Sequence, residues 1–324
     1  MINAVILVGG IGFVAALILG ISAVTFAVKM DPREKAVLDQ LPGANCGACG
    51  FAGCAAFAHE LTQNENAEMA CPAVNEEALQ AISDVLCREL GGGTPMIAFV
   101  GCKGTPEKSI TRFSYVGPHD CRAAQIVAGG AKACQYGCLG LGSCVDVCPF
   151  DAIHMGEDSL PHVDDLKCTG CGKCVDTCPR EIIRLVPANA NYCVSCISRD
   201  SAKDMKAYCQ VGCIKCRICE NTCPFDAIVV VDGNAAIINQ EKCRKCGLCV
   251  SVCPTGVIEQ LHVQAKAYII EEKCRGCSIC AQVCPVDAIS GKPKEPYVID
   301  QGKCVGCGLC IEKCPADAVE RLSI

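Results

Sequence analysis

The sequence predicts an α+β chain assembled from small units in series, and three observations carry that expectation. Residues 2–28 contain no charged side chain. Thirty-four of the 324 residues are cysteine, and six cysteine cassettes end in Cys-Pro, at Cys148, Cys178, Cys223, Cys253, Cys284 and Cys314. There is no tryptophan and aromatics make up only 4%, so one large conventional core has little bulk to draw on. The expected order is a transmembrane helix (1–29), a small, mainly helical domain with one metal cluster (30–93), and three tandem two-cluster modules (94–187, 188–264 and 265–324).

The anchor comes first. From Ala4 to Val28 the chain is mostly apolar, and at 1.5 Å per residue this run spans about 37 Å, enough to cross a bilayer with some tilt. A cleaved signal peptide needs a positive start and a shorter apolar stretch, which this run lacks. Lys29, Arg33 and Lys35 follow it, so the positive-inside rule places the rest of the chain in the cytoplasm, where thiolates persist. Gly12, Ala16 and Gly20 form a small-residue stripe, which is either a docking face for another membrane helix or ordinary membrane-helix composition.

Next stand Cys46, Cys49, Cys54 and Cys71, with Gly43, Gly47, Gly50 and Gly53 among them. Glycines let backbone fold tightly around a cube and turn N–H groups toward its sulfurs. Residues 55–70 are expected to form a helix that returns Cys71 to the other three, completing one [4Fe–4S] site. Asn75 is placed to cap a second helix running to Leu90. Cys87 falls on that helix and is expected to be a small buried residue.

Five of the six cassettes read C-x2-C-x2-C-x3-C-P, the ligand run of a [4Fe–4S] ferredoxin. Disulfide scaffolds are short and irregularly spaced, and zinc pairs do not explain a third cysteine and the Cys-Pro. The intervals between the Cys-Pro positions are 30, 45, 30, 31 and 30 residues. The long interval isolates the first two cassettes as a pair. The other four then pair as 223 with 253 and 284 with 314, giving three ferredoxin-like modules. Each half is expected to be a short strand, a cluster loop and a short helix beginning near the Cys-Pro.

In two-cluster ferredoxins three cysteines of a cassette hold one cube and the fourth crosses to the other. The middle module then holds one cube on Cys213, Cys216, Cys219 and Cys253, and another on Cys243, Cys246, Cys249 and Cys223. The last module holds one on Cys274, Cys277, Cys280 and Cys314, and another on Cys304, Cys307, Cys310 and Cys284. The first module departs from the rule: CQYGCLGLGSC (134–144) aligns with CQVGCIKCRIC (209–219), and Leu141 takes the place of Cys216. With Cys134 supplying the missing ligand, the sets are Cys134, Cys138, Cys144 and Cys178, and Cys168, Cys171, Cys174 and Cys148.

FVGC (99–102) also aligns with CVSC (193–196), so the first two modules look like a duplication that includes an upstream strand. Seven [4Fe–4S] clusters are expected. Cys102, Cys121, Cys193, Cys196 and Cys209 remain as packing thiols or as the source of an eighth. Because clusters replace a conventional core, the chain beyond its first 90 residues is expected to unfold without iron. The stretch 188–201 has the composition of a hinge.

The formal charge is −6, and seven cubes with four thiolates each carry it to about −20, which excludes nucleic acid as a partner. No G-x-G-x-x-G or Walker pattern is present, so no nucleotide is expected on this chain. His59, His119, His154, His162 and His262 are scattered. One-electron hopping needs no general acid, base or nucleophile, so no catalytic side chain is expected.

An uncharged anchor, the Cys46–Cys71 domain, the segment DCRAAQIVAGGAKACQYGCLGLGSCVDVCPFDAI (120–153) and the cassette ending at Cys178 together resemble the B subunits of Rnf complexes, in an extended form with several modules. That resemblance implies an electron-transfer subunit of a membrane ferredoxin:NAD oxidoreductase that pumps sodium ions or protons. It implies as partners soluble ferredoxin, the electron donor, and the other membrane subunits, which carry flavin and NAD sites. The alternatives are a polyferredoxin component of a hydrogenase- or formate dehydrogenase-type membrane enzyme, which would lack the Cys46–Cys71 domain, and a sensor, for which so many clusters are excessive.

Overall fold

The computed structural model describes residues 2–25, 31–69, 71–92, 94–231, 233–262 and 265–322. They form two compact units, Met1–Gly92 and Gly93–Ile324.

The first unit is helical. Helix α1 spans Ile2–Thr25 and has no acidic first turn or basic last turn. Its side chains are described only at positions 9, 10 and 12–22, and among the residues so described no helix is long and apolar enough to cross a membrane. Residues 26–30, with Lys29, lie outside the described residues. Helix α2 (Pro32–Gln40) starts where the Asp31 carboxylate accepts the Arg33 N–H at 2.8 Å, with proline at its first turn, where the missing N–H costs nothing. Helix α3 covers Cys54–Gln63, shorter than expected, and ends at extended Asn64. Helix α4 (Glu76–Leu86) is capped by Asn75, whose Oδ1 accepts the Ala78 N–H at 2.8 Å. It stops short of Leu90 because Cys87 turns left-handed at φ 52°. Cys87 is therefore an exposed helix-end residue, which corrects the expectation of burial. Val37, Phe57, Leu61 and Ile82 make the core of α2–α4.

The second unit repeats one strand plan three times. The elements are β1 (Met96–Val100), α5 (Cys121–Ile126), α6 (Ser143–Asp146), β2 (Ile153–Met155), β3 (Pro161–Val163), α7 (Lys173–Thr177) and β4 (Ile183–Pro187). There follow β5 (Tyr192–Val194), α8 (Ala202–Tyr208), α9 (Ile218–Thr222), β6 (Ile228–Val229), β7 (Ile237–Ile238), α10 (Leu248–Ser251) and β8 (Ile258–Gln260). The last are β9 (Ala267–Ile269), α11 (Ile279–Gln282), β10 (Ile289–Ser290), β11 (Val298–Ile299), α12 (Leu309–Glu312) and β12 (Val319–Arg321). In every repeat the outer strands pair antiparallel (β1–β4, β5–β8, β9–β12) and enclose an inner hairpin (β2–β3, β6–β7, β10–β11). Cassettes 223 and 253 thus share one pair of sheets, and 284 and 314 another, as their intervals suggest.

The short helices do not begin near Cys-Pro. Each lies inside its cassette and carries the third cysteine: Cys144, Cys174, Cys219, Cys249, Cys280 and Cys310. Each starts after a left-handed residue, such as Gly142 or Gly308, and ends before the crossing cysteine. Proline after that cysteine has no N–H to continue a helix. Three residues beyond the cysteine the chain again turns left-handed, at Asp151, Glu181, Asp226, Gly256, Asp287 and Asp317. These turns aim the next N–H back at sulfur: Ala152, Ala288 and Ala318 donate to Cys148, Cys284 and Cys314 Sγ at 3.4, 3.3 and 3.3 Å. The FDAI-type segments therefore lead into strands.

Stretch 188–201 is not a hinge. It contains β5, and Tyr192, Cys193, Val194 and Ser195 are each at most 2% exposed. Strand alternation sends Val194 into one cluster core and Cys193 to the opposite face, against Ile97, Phe99 and Val186.

Gly170 shows how closely backbone approaches these loops. It has φ +66°, and a Cβ there would collide with the Met96 carbonyl oxygen at the start of β1. Gly170→Ala is expected to destabilise the holoprotein by about 1–3 kcal/mol. The denaturant midpoint of cluster absorbance reports this, and an unchanged midpoint would contradict the close approach of β1 to this loop.

Candidate metal centres

The cysteines gather around discrete spaces. Cys213, Cys216, Cys219 and Cys253 line one of about 350 Å³. Cys223, Cys243, Cys246 and Cys249 line another of about 320 Å³. In the first repeat Cys148, Cys168, Cys171 and Cys174 line a third, of about 300 Å³. In each, three cysteines come from one cassette and one arrives from the other. The cause is local: the cassette loop wraps three thiols around one point, while the Cys-Pro turn points the fourth away.

The last repeat has the same plan. Cys280, Cys284, Cys304, Cys310 and Cys314 share one core with Ile289 and Val319. After burial, the charges of Cys307, Cys304 and Cys284 hold the Cys310 thiol up, to about 11. Cys274 and Cys277 act likewise on Cys280. In the first unit Cys49, Cys54 and Cys71 pack against one core; burial raises the Cys71 thiol, and Cys49, Cys46 and Cys54 add to the shift. Gly43, Gly47 and Gly50 in this loop have φ of 66°, 77° and 84°, a conformation glycine adopts without strain.

The first repeat departs from the set expected at sequence level. Cys138, Cys144 and Cys178 line a space of about 390 Å³ together with Cys121, and Cys134 is not among its lining residues. Leu141 leaves one corner of this space without a thiol, and Cys121, the first residue of α5, lines it there. Asp120 Oδ1 caps α5 by accepting the Ala123 N–H at 2.7 Å. The Cys121 N–H donates to Ser143 Oγ at 2.8 Å, and the Ser143 hydroxyl donates to Asp120 Oδ2 at 3.2 Å. His119 Nδ1 lies 3.1 Å from the Leu141 carbonyl oxygen. These bonds pin Cys121 beside the position Leu141 cannot serve. The sequence signal was present: Leu141 marked the missing ligand, but a thiol 20 residues upstream has no fixed spacing to the cassette. Cys134 instead faces a separate space with Cys102, Cys196 and Cys209.

The chemistry of the donors fits cubes. Among the described residues no three His, Cys, Asp or Glu side chains close tightly enough for a single metal ion. The thiols instead line discrete spaces in sets of four. Burial pushes Cys138, Cys144, Cys174 and Cys249 up to about 12, so thiolates form there together with ligation, which releases the protons.

The sites of the second unit also adjoin one another. Cys174 adds to the rise of Cys144, and the Cys138 N–H donates to Cys102 Sγ at 3.4 Å. Cys213 adds to the rise of Cys196, Cys219 to that of Cys249, and Cys307 to that of Cys246. Arg244 and Glu312 pair at 3.7 Å across the last two repeats.

Family models agree on the chemistry. A "Putative Fe-S cluster" model matches residues 41–73. Models described as "4Fe-4S dicluster domain" match 212–257, 236–290 and 267–321. "LdpA Fe-S cluster-binding domain" matches 143–189, and "4Fe-4S binding domain" matches 132–152. The near-constant 30-residue interval lets a dicluster model match in two registers, and the strand pairing separates them. Over 247 residues the chain is 45% identical to the B subunit of the Na(+)-translocating ferredoxin:NAD(+) oxidoreductase complex of Acetobacterium woodii, covering 75% of this chain and 74% of the relative. It is 40% identical to the B subunit of the ion-translocating oxidoreductase complex of Methanosarcina acetivorans, over 75% of this chain and 92% of the relative. It is also 40% identical to the B subunit of the proton-translocating ferredoxin:NAD(+) oxidoreductase complex of Clostridium ljungdahlii, over 72% and 82%. With its iron–sulfur repeats and this extent of identity, the chain belongs to the family of B subunits of ion-translocating, Rnf-type oxidoreductase complexes.

Proposed function

We propose that this chain takes electrons from reduced soluble ferredoxin and relays them through [4Fe–4S] cubes to partner subunits of an ion-translocating ferredoxin:NAD oxidoreductase. The observation that carries this reading is the succession of adjoining four-cysteine sites in a member of this family. Each cube supplies a one-electron carrier. The polypeptide holds it with thiolates, excludes water with Val, Ile and Ala side chains, and aims N–H groups at sulfur, which sets the potential.

Seven cubes are assigned to the repeats and the first unit. Their ligand sets are those expected at sequence level, except that Cys121 replaces Cys134 beside Cys138, Cys144 and Cys178. Helix α1 is the membrane anchor, with the remainder on the cytoplasmic side. Its lack of charge and the exposure of Phe13, Val14, Leu17, Ile18 and Leu19 support this, since such a run of apolar side chains is stable in lipid. Flavin and NAD belong to partner subunits.

Co-purification from native membranes tests the assignment. The complex holding this chain is expected to reduce NAD with reduced ferredoxin, and a complex that does so without it would refute the reading. Within that complex, Cys46→Ala is expected to abolish NAD reduction while ferredoxin still bleaches the clusters of the second unit. Undiminished NAD reduction would remove the first-unit cube from the route.

A further inference from the structure

The space that Cys134 faces is a metal centre in its own right. Cys102, Cys134, Cys196 and Cys209 line a space of about 370 Å³, within the 300–390 Å³ range of the cassette sites. No cassette supplies any of these thiols, and two come from each of the first two repeats. Cys102 follows β1 and Cys196 follows β5, the equivalent outer strands, and the two residues face each other in an antiparallel bridge. Cys134 and Cys209 each open a Cys-Gln-x-Gly-Cys segment. The four thiols are thus two copies of one pair, brought face to face by the duplication.

The surroundings point to a bound anion. Lys132 is 8% exposed, gives its ammonium to the Gly104 carbonyl beside this space, and has no carboxylate ion pair among the described residues. Buried cations without anions are costly, and a cube with four thiolates carries a net −2 at this position. Ser195 lines the same space, is 2% exposed, and its hydroxyl has no partner. It is a donor in search of sulfur. The backbone N–H groups of Cys138 and Ser198 already donate to Cys102 Sγ and Cys196 Sγ at 3.4 and 3.5 Å.

We propose that Cys102, Cys134, Cys196 and Cys209 hold an eighth [4Fe–4S] cube that bridges the first two repeats. This deepens the electron-carrier reading and rests on it for the cube's use, though not for its existence. A cube held by these four thiolates would supply a one-electron carrier, reduced as a neighbouring cube is oxidised and reoxidised as the electron leaves. No bond forms or breaks. The bridge joins the Cys121–Cys138–Cys144–Cys178 site to the Cys213–Cys216–Cys219–Cys253 site, which otherwise belong to separate modules. Cys193 and Cys87 are then the two cysteines left without a cube.

Native mass spectrometry and iron assay of the full-length holoprotein test this. The wild-type chain is expected to hold eight cubes, about 32 iron atoms, and Cys102→Ser/Cys196→Ser seven, about 28, at four per cube. The electron paramagnetic resonance signals of the other cubes should persist in the variant. Seven cubes in the wild type, or zinc in place of iron at this position, would overturn the proposal even if the variant fails to fold. Loss of one cube in the variant without slower transfer between the two repeats would leave the site standing and sink the bridging role, and with it the linear electron route.

Discussion

Removing iron is expected to unfold the second unit while the helical core of α2–α4 survives. The reason is the size of its elements: cassette helices of four or five residues and sheets of two strands. Helices shorter than about 12 residues and isolated hairpins are marginal in water. The cores of this unit are built around the thiols themselves, with Cys138, Cys144 and Cys174 in one and Cys213, Cys219 and Cys249 in another. Structural zinc in zinc-finger peptides contributes about 10–16 kcal/mol, against a total domain stability of about 5–15 kcal/mol, and ligation on this scale exceeds what two-stranded sheets and single-turn helices supply. The first unit keeps Val37, Phe57, Leu61 and Ile82 packed on helices of nine to eleven residues. Circular dichroism after oxidative chelation should show helix persisting and the cooperative transition of the second unit gone. A native-like spectrum and an unchanged melting transition in iron-free protein would refute this account.

Cys121→Ala is expected to remove one cube, about four iron atoms, and to break electron passage through the first repeat. Leu141→Cys should restore it in the Cys121→Ala background. Leu141 aligns with Cys216, so the added thiol recreates the regular cassette. Iron returning to the wild-type value in the double variant would establish that Cys121 serves the corner Leu141 leaves open. If Cys121→Ala keeps all its iron, the ligand assignment of this site is wrong. Cys134→Ala separates the two readings further: the sequence-level set predicts loss of the Cys138–Cys144–Cys178 cube, and the structure predicts loss of the bridging cube, whose position beside Lys132 should give different spectroscopic signals.

Much of the site was legible because most cluster ligation is local. In five cassettes three thiols fall within seven residues, and the 45-residue interval after Cys178 separates the cassettes that the strand pairing also separates. The asparagine cap of α4 was legible for the same reason, since a cap and its N–H lie three residues apart. The place of the short helices was not. The left-handed turn before each third cysteine, at glycine in four cassettes but at Arg217 and Ser278 in two, is imposed by the closure of the loop around its thiols, not by residue preference.

What the sequence determined by itself was the chemistry and its repetition: cubes, paired cassettes, an uncharged first helix and the family these features resemble. The tertiary structure alone decided where lone cysteines go. Cys121 reaches the first repeat through Asp120 and Ser143, Cys134 turns away to meet Cys102, Cys196 and Cys209, and Cys193 is sent to the opposite strand face from its neighbour Val194. A ligand inside a cassette is fixed by spacing along the chain. A ligand contributed from a distant loop is fixed by how two repeats pack, and no local spacing records it.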